Sequence, residues 1–150
     1  MKKTTVAMFL ITGLSVLFAG SAVYGFDHKD IDTLMETHLC ARCDLSGANL
    51  IGITVHSDLD GSNLSGADLR QSDLSGTDAS GANFSGANLK EANLAGADFS
   101  GTDLTGADLT GANVSGTDFS GAKLDNAVWT DGQRCKTGSI ETCDKEEKKE

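Results

Sequence analysis

The sequence predicts a solenoid, in which short repeated units coil around one shared core. The first observation is internal repetition: from Ser57 to Asn126 the chain divides without a slip into fourteen five-residue units. The second is that the third residue of these units is almost always Leu, Phe or Val. This spacing matches neither the 3.6-residue period of a helix nor the two-residue period of a strand. A single unit cannot bury its own apolar residue, so burial requires successive units to turn corners around a common axis.

The start of the chain predicts export. Two lysines at positions 2 and 3 precede an apolar run over residues 6–18, which is shorter than the roughly 20 residues that a membrane-spanning helix needs. Small residues follow, as signal peptidase requires, and cleavage after Ala22 or after Gly25 fits them equally well. We therefore expect residues 1–25 to be a signal peptide. The mature protein would then lie in the periplasm, in a thylakoid lumen or outside the cell, without a stable membrane span.

A short amphipathic segment follows the signal peptide. Asp30 is a candidate N-cap for a helix that would start there. The apolar face of this helix would comprise Ile31, Leu34, Met35 and Leu39. A solenoid exposes its core and its unpaired edges at each end unless something covers them. We therefore expect residues 26–42 to form a helix that caps the first coil.

The columns of the repeat have a constant chemistry. In units such as SNLSG, ANFSG and ADLTG the first residue is small, and the last two are mostly Ser or Thr followed by Gly. The second residue is Asp or Asn in every unit of the regular block except at Lys123. Two earlier units, which begin at Cys43 and Ala48, are one residue out of phase with the others. We expect a bulge or loop at residues 53–56 to absorb this offset.

Over residues 43–128 this pattern resembles the pentapeptide-repeat family, whose motif is A(D/N)LXX. The resemblance implies an all-β fold, a right-handed four-sided (quadrilateral) β-helix solenoid with four units per coil. It also implies that the first and third residues of each unit face inward. About four coils would give a rod about 20 Å long. Residues 129–143 would form an irregular C-terminal cap, and the charged residues 144–150 a disordered tail.

Four units per coil would stack third-column residues that are twenty positions apart into four ladders. Large side chains would lie beside small ones in places, as at Phe99 above Ala79, which is how a core reaches native density. Trp129 would close the third ladder. The predicted core ladders comprise Leu64, Leu69, Leu74, Phe84, Leu89, Leu94, Phe99, Leu104, Leu109, Val114, Phe119 and Leu124.

The outward second column places four carboxylates on one side, at a spacing of about 4.8 Å. They are Asp58, Asp78, Asp98 and Asp118. One interpretation is a strip that binds cations or a basic partner, because like charges at this spacing repel unless something neutralises them. The other is a solvated face in which Asp is favoured for local turn hydrogen bonds. The sequence leaves both interpretations open.

Four cysteines in an exported chain predict disulfide bonds. Cys135 and Cys143 would lie about 20 Å from the other two along the rod, beyond the Cα separation of roughly 7 Å that a disulfide tolerates. We therefore expect these two to bond to each other and to staple the C-terminal cap. Cys40 and Cys43 have two interpretations, a local disulfide or a small buried core residue at Cys43.

The CARC sequence at residues 40–43 also suggests two weaker alternatives. A redox dithiol would normally come with a thioredoxin-like βαβ context, which this sequence lacks. A zinc site would have irregularly spaced ligands and thiols that usually oxidise after export. Its four candidate ligands are His38, Cys40, Cys43 and His56. We expect no metal and no cofactor.

Charge and motifs exclude several function classes. Removing residues 1–25 leaves 10 basic and 22 acidic residues, a formal charge of −12, which repels nucleic acid and anionic membranes. The sequence has no nucleophile elbow, P-loop or HExxH pattern, so we expect no enzyme activity. The sequence thus predicts a non-catalytic structural or protein-interaction module of the cell envelope. Its partner is unknown, and a basic protein would be complementary to it.

The family resemblance implies one alternative function. Some members are similar to B-form DNA in shape and charge and inhibit type II topoisomerases. The signal peptide and the short rod disfavour this alternative, because those inhibitors act in the cytoplasm and are longer.

Overall fold

The computed structural model describes residues 28–37, 39–56 and 58–145. The predicted signal peptide and most of the predicted tail lie outside the described residues. The described chain begins with one helix, α1 (His28–Thr37), and continues as a coil whose backbone pairs are single bridges and not longer strands. No helix in these ranges has the length and apolar character needed to cross a membrane.

Parallel backbone bridges show that the solenoid has four sides. They occur every five residues and join residues that are 20 positions apart, from the pair Asp58–Asp78 to the pair Asp108–Val128. Four bridges therefore complete one coil. We number the sides by the bridging residues of the second coil, with Asp58 on side 1, Asn63 on side 2, Asp68 on side 3 and Asp73 on side 4.

Each unit forms hydrogen bonds with the coils on both sides of it. In one unit of the third coil, the N–H of Asn83 donates to the carbonyl of Ser62 at 2.8 Å. The next N–H, of Phe84, donates in the opposite direction to the carbonyl of Asp103 at 2.7 Å. The corner follows at Gly86, whose φ of 67° lies in the left-handed region that favours glycine. Five residues are therefore enough for one short side and one corner.

The first coil begins earlier than the sequence predicted. Leu39 pairs with Asp58, so residues 39–42 belong to the solenoid and the expected helix over residues 26–42 is too long at its C-terminal end. The bridges of this coil join residues only 19 positions apart. The first coil is therefore one residue shorter than the others.

The prediction of a bulge or loop at residues 53–56 is wrong. Thr54 pairs with Asp73, and Val55 is only 2% exposed, so this segment forms side 4 of the first coil. The bridging residues Thr54 and Asp58 are four positions apart, so this unit is one residue shorter than the others. Val55 keeps its inward position, and the core stays filled.

Helix α1 covers the first coil through Leu34, which is 2% exposed. Asp30 is not the N-cap, because it lies inside the helix. Its carboxylate instead accepts the N–H of Asp44 at 2.7 Å, in the place of the carbonyl that the preceding coil supplies to Asn63. Met35 does not share the buried face, since it is 49% exposed.

The core consists of the inward first and third columns. Ten of the twelve predicted ladder residues are fully buried, whereas Val114 and Phe119 in the last part of the solenoid are partly exposed. Polar first-column residues in the core form hydrogen bonds. The hydroxyl of Thr77, for example, donates to the carbonyl of Val55 at 2.5 Å. Burial of these hydroxyls therefore leaves no unsatisfied donor there.

The last residues fold back over the C-terminal end of the solenoid. Antiparallel bridges join Lys123 to Ile140 on side 2 and Val128 to Arg134 on side 3. In the described part of the chain, sides 1 and 4 of the last coil have no such cover. Lys145 still pairs within this cap, so the cap extends two residues past its predicted end.

Candidate functional site

Side 1 carries the four carboxylates that stand in one column of the sequence. Bridges join Asp58 to Asp78, Asp78 to Asp98 and Asp98 to Asp118. The four residues therefore form a row along the rod, which we name the acidic strip.

Each carboxylate of the acidic strip accepts a hydrogen bond from the backbone N–H two residues further on. The distances between the Oδ1 atoms and these nitrogens are 2.8–3.0 Å. The hydroxyl of Ser80 also donates to Asp78 at 2.7 Å, and these hydrogen bonds lower the pKa of Asp78. Hydrogen bonds from Ser120 lower the pKa of Asp118 in the same way. Both carboxylates therefore stay ionised at neutral pH.

Asparagine forms the same turn on the other sides. The Oδ1 atom of Asn83 accepts the N–H of Ser85 at 2.9 Å. Asparagine amides also reach neighbouring coils: Asn83 lies 3.4 Å from Asn63 (Nδ2 to Oδ1), and Asn93 donates to Asp73 at 3.0 Å. Within the described residues, no side-chain amide reaches the acidic strip. Turn geometry therefore explains a side-chain oxygen at these positions, but it does not explain four successive negative charges on side 1.

The ion pairs of the solenoid lie away from side 1. They join Arg70 to Asp68, Lys90 to Asp108 and Lys123 to Asp103, with N–O distances of 2.7, 2.9 and 3.7 Å. These pairs are exposed, so each adds little to stability. Their position matters more, because no ion pair among the described residues involves the acidic strip. Side 1 thus keeps a row of carboxylates that no basic side chain in the described ranges neutralises.

One corner of side 3 carries functional groups that the sequence analysis missed. Arg70 and Lys90 are the only lysine or arginine residues between positions 43 and 122. Gln71 and Glu91 follow them at corner positions, each with a φ of 58°, and the side-chain amide of Gln71 donates to Glu91 at 2.8 Å. The signal was present in the sequence, since these two units, ADLRQ and ANLKE, lack the terminal glycine of their neighbours.

The structure forms two disulfide bonds, between Cys40 and Cys43 and between Cys135 and Cys143. The first lies at the start of the solenoid, and the second lies within the C-terminal cap. Cys40 and Cys43 are 1% and 8% exposed. The two interpretations of Cys43 are therefore compatible, because it is both bonded and buried in the first column.

The proposed zinc ligands do not come together as a metal site. The cysteine sulfurs are joined to each other, and His38 lies outside the described residues. The Nδ1 atom of His56 lies 2.9 Å from the carbonyl oxygen of Ser75. In the part of the chain that the structure describes, no group of three or more His, Cys, Asp or Glu side chains could hold a metal ion.

Comparison with known proteins shows the family of this solenoid. The family model described as pentapeptide repeats (8 copies) matches residues 55–86 and 87–126. A solved pentapeptide repeat protein from Nostoc PCC 7120 is 33% identical, over 62% of this chain and 78% of its own, with a TM-score of 0.33. This chain belongs to the pentapeptide-repeat family.

Two further solved members of the family are similar. Rfr23 from the cyanobacterium Cyanothece 51142 is 29% identical, over 67% of this chain and 97% of its own, with a TM-score of 0.43. A pentapeptide repeat protein from the thylakoid lumen of Arabidopsis thaliana is 31% identical, over 56% of this chain and 63% of its own, with a TM-score of 0.27. No curated protein matches the chain.

Pentapeptide-repeat proteins form right-handed quadrilateral β-helices and are generally non-catalytic. The four sides described above agree with that architecture. Members of the family have varied roles, so membership alone does not name the partner of this pentapeptide-repeat protein.

Proposed function

We propose that this pentapeptide-repeat protein is an exported, non-catalytic protein-interaction module of the cell envelope. The observation that carries the proposal is the continuous hydrogen bonding between successive coils around a fully buried core. This bonding holds the outward side chains of each side at fixed positions. A surface that is already ordered loses little conformational entropy when a partner binds, so the rod is suited to recognition.

The partner is a protein with a basic contact surface. The whole chain has a formal charge of −10, and an acidic protein attracts basic partners and repels nucleic acid. Side 1 is the side on which a basic surface meets the most unpaired carboxylates, because the ion pairs lie on sides 2 and 3. Electrostatic complementarity of this kind mainly raises the association rate and the specificity.

Export is supported by the start of the sequence and by the cysteines. The two lysines, the apolar run and the small residues before position 26 are typical of a signal peptide. All cysteines of the mature chain are paired in local disulfide bonds, which persist in oxidising compartments.

Intact mass spectrometry of the protein from fractionated native cells tests the location. We expect a mass that lacks the first 22 or 25 residues, recovered from the envelope fraction, with no thiol available for alkylation before reduction. A full-length protein with free thiols in the cytoplasm would contradict the proposal. That result would redirect the search to cytoplasmic targets, type II topoisomerases among them.

Site-specific photocrosslinking tests the contact surface. Ser100 on side 1 and Ser85 on side 2 occupy the same column and form the same turn, so a photoreactive residue at each gives a matched pair. We expect a crosslinked partner from position 100 that disappears at high salt, and none from position 85. Equal crosslinking from both positions would contradict a role for side 1.

A further inference from the structure

We propose that the last coil of the solenoid accepts an extended basic segment of a partner protein, which pairs antiparallel with its uncovered edge. This open edge consists of residues 112–116 on side 4 and residues 117–120 on side 1, on the face that points toward the C-terminal cap. The inference rests on the proposed interaction function and locates one contact that goes beyond the acidic strip.

The backbone of the open edge lacks the partners that earlier coils have. One coil earlier, the N–H of Phe99 donates to the carbonyl of Asp118 at 2.8 Å. In the described part of the chain, the N–H of Phe119 has no acceptor and the carbonyl of Thr117 has no donor. On side 4, the N–H of Val114 likewise has no acceptor among the described residues. Such an edge is a template for an added strand.

The side chains at the open edge are also incompletely covered. Val114, Phe119 and Trp129 are partly exposed, whereas Leu94 and Phe99, directly beneath the first two, are fully buried. The rings of Phe119 and Trp129 lie 5.5 Å apart between centroids and form one apolar patch. An added strand would therefore gain apolar burial as well as backbone hydrogen bonds.

Side 2 shows how a strand covers this end of the solenoid. The N–H of Leu124 donates to the carbonyl of Ser139 at 2.9 Å, and the N–H of Glu141 donates to the carbonyl of Ala122 at 3.0 Å. Ser139 is 1% exposed and Ile140 is 59% exposed. A covering strand thus runs antiparallel, places a small residue over the core and points the next residue outward. Its backbone bonds to the coil come from Ser139 and Glu141, the residues on either side of the outward residue.

The chain's own covering strand stops at the corner between side 2 and side 1. Glu141 has a φ of 63° and turns the chain away, and its carboxylate accepts the N–H of Gly121 at 3.1 Å. Two residues later, Cys143 is bonded to Cys135 inside the cap. A strand that continued in the same direction would have covered Phe119, so the turn at Glu141 is what leaves this position open.

Charge identifies the class of occupant. By analogy with Ile140 beside Lys123, the outward residue of a strand on side 1 would lie beside Asp118, the last member of the acidic strip. Lys or Arg is complementary at that position. The residues at 146–150 are all charged, so they offer nothing small or apolar to place over Phe119. A second copy would bring another Asp118 to the same edge and repel this one.

Fluorescence anisotropy with a labelled peptide, KVKVKVK, tests the inference on the mature protein. A lysine of the bound peptide would point outward beside Asp118, and the valines on either side of it would point inward. As on side 2, the residues that flank the outward residue would direct their N–H groups and carbonyls at the coil. We expect N-methylation of the valines to weaken binding roughly tenfold by removing these donors. N-methylation of the lysines is the matched control and should leave the affinity within about twofold. Equal binding of the two methylated peptides would overturn the inference.

Protein variants locate the binding. We expect Val114→Lys, which places a charge at the open edge, to weaken the peptide roughly tenfold. Leu39→Lys, at the opposite end where Leu39 is 63% exposed, adds the same charge and should have no effect. Equal effects of the two variants would refute the location. Analytical sedimentation tests for a second copy at the edge. A concentration-dependent dimer that Val114→Lys dissociates, in a protein that does not bind the peptide, would show such a copy and overturn the inference. Crosslinking from position 100 reports on the acidic strip and not on the open edge. If the peptide or variant tests fail, that crosslinking can still support the proposed function.

Discussion

Truncation of one core leucine measures how tightly the coils are packed. Leu89 is fully buried on side 3, between Leu69 and Leu109 of the adjacent coils, which are also fully buried. Leu89→Ala removes three carbon atoms, and at about 0.8 kcal/mol per buried carbon the transfer part is roughly 2.4 kcal/mol. The backbone cannot collapse into the cavity, because the N–H of Leu89 is held by Asp108 at 2.8 Å. We therefore expect a total loss of about 3–5 kcal/mol.

Urea denaturation followed by circular dichroism measures this loss. Ile140→Ala is the matched control, because Ile140 is 59% exposed and its truncation should change the unfolding free energy by less than about 0.5 kcal/mol. In a short solenoid each coil supports its neighbours, so the loss should appear in the single unfolding transition. A loss below about 1 kcal/mol for Leu89→Ala would refute the packing described for side 3.

Three further predictions concern the corners, the carboxylates and the cap. Gly86 has a φ of 67° with no atom within 4 Å of an added Cβ, so Gly86→Ala should lower the unfolding free energy by about 1 kcal/mol from backbone strain alone. Thermal melts of Glu91→Gly, which relieves the φ of 58° at its corner, should show no such loss. Hydrogen bonds lower the pKa of Asp78 below 3.8, so its stabilisation is present above pH 3.8 and is lost as the pH falls through the lower folded-state pKa. Asp78→Asn keeps the Oδ1 acceptor but does not titrate, so its urea midpoint should fall less than that of the parent protein between neutral and low pH. An equal decrease of the urea midpoint in both proteins would contradict this. Replacement of Cys135 and Cys143 by Ser should cost about 2–4 kcal/mol, seen as increased amide exchange in the cap, and unchanged exchange would count against the staple.

The repeat columns made most of the solenoid predictable. A small first residue, an apolar third residue and a terminal glycine recur in every unit with few exceptions. The structure places the small and the apolar residues inside, and it places the glycines at corners with positive φ. Ala79 shows that the columns tolerate exceptions, since it is fully buried beneath Phe99. The ring of Phe84 lies 5.0 Å from that of Phe99 and fills the space beside it.

The errors fall where the repeat begins and ends. Register in the first coil depends on pairing with the next coil, and the four-residue unit still keeps its inward residue Val55. The sequence predicts Asp30 as an N-cap. In the structure its carboxylate instead accepts the N–H of Asp44, at the edge of the first coil. No local pattern predicts a bond between residues 14 positions apart that belong to different elements.

The sequence by itself determined the five-residue period, the inward and outward columns, the acidic strip and the charge of the protein, because each is a property of spacing and composition. Only the tertiary structure decided the short first coil, the use of Asp30 and the turn at Glu141 that leaves the open edge near Phe119. The physical reason is that the first and last coils of the solenoid each lack an adjacent repeat coil on one side. Their backbone groups must find partners outside the repeat, and those partners are set by three-dimensional contact.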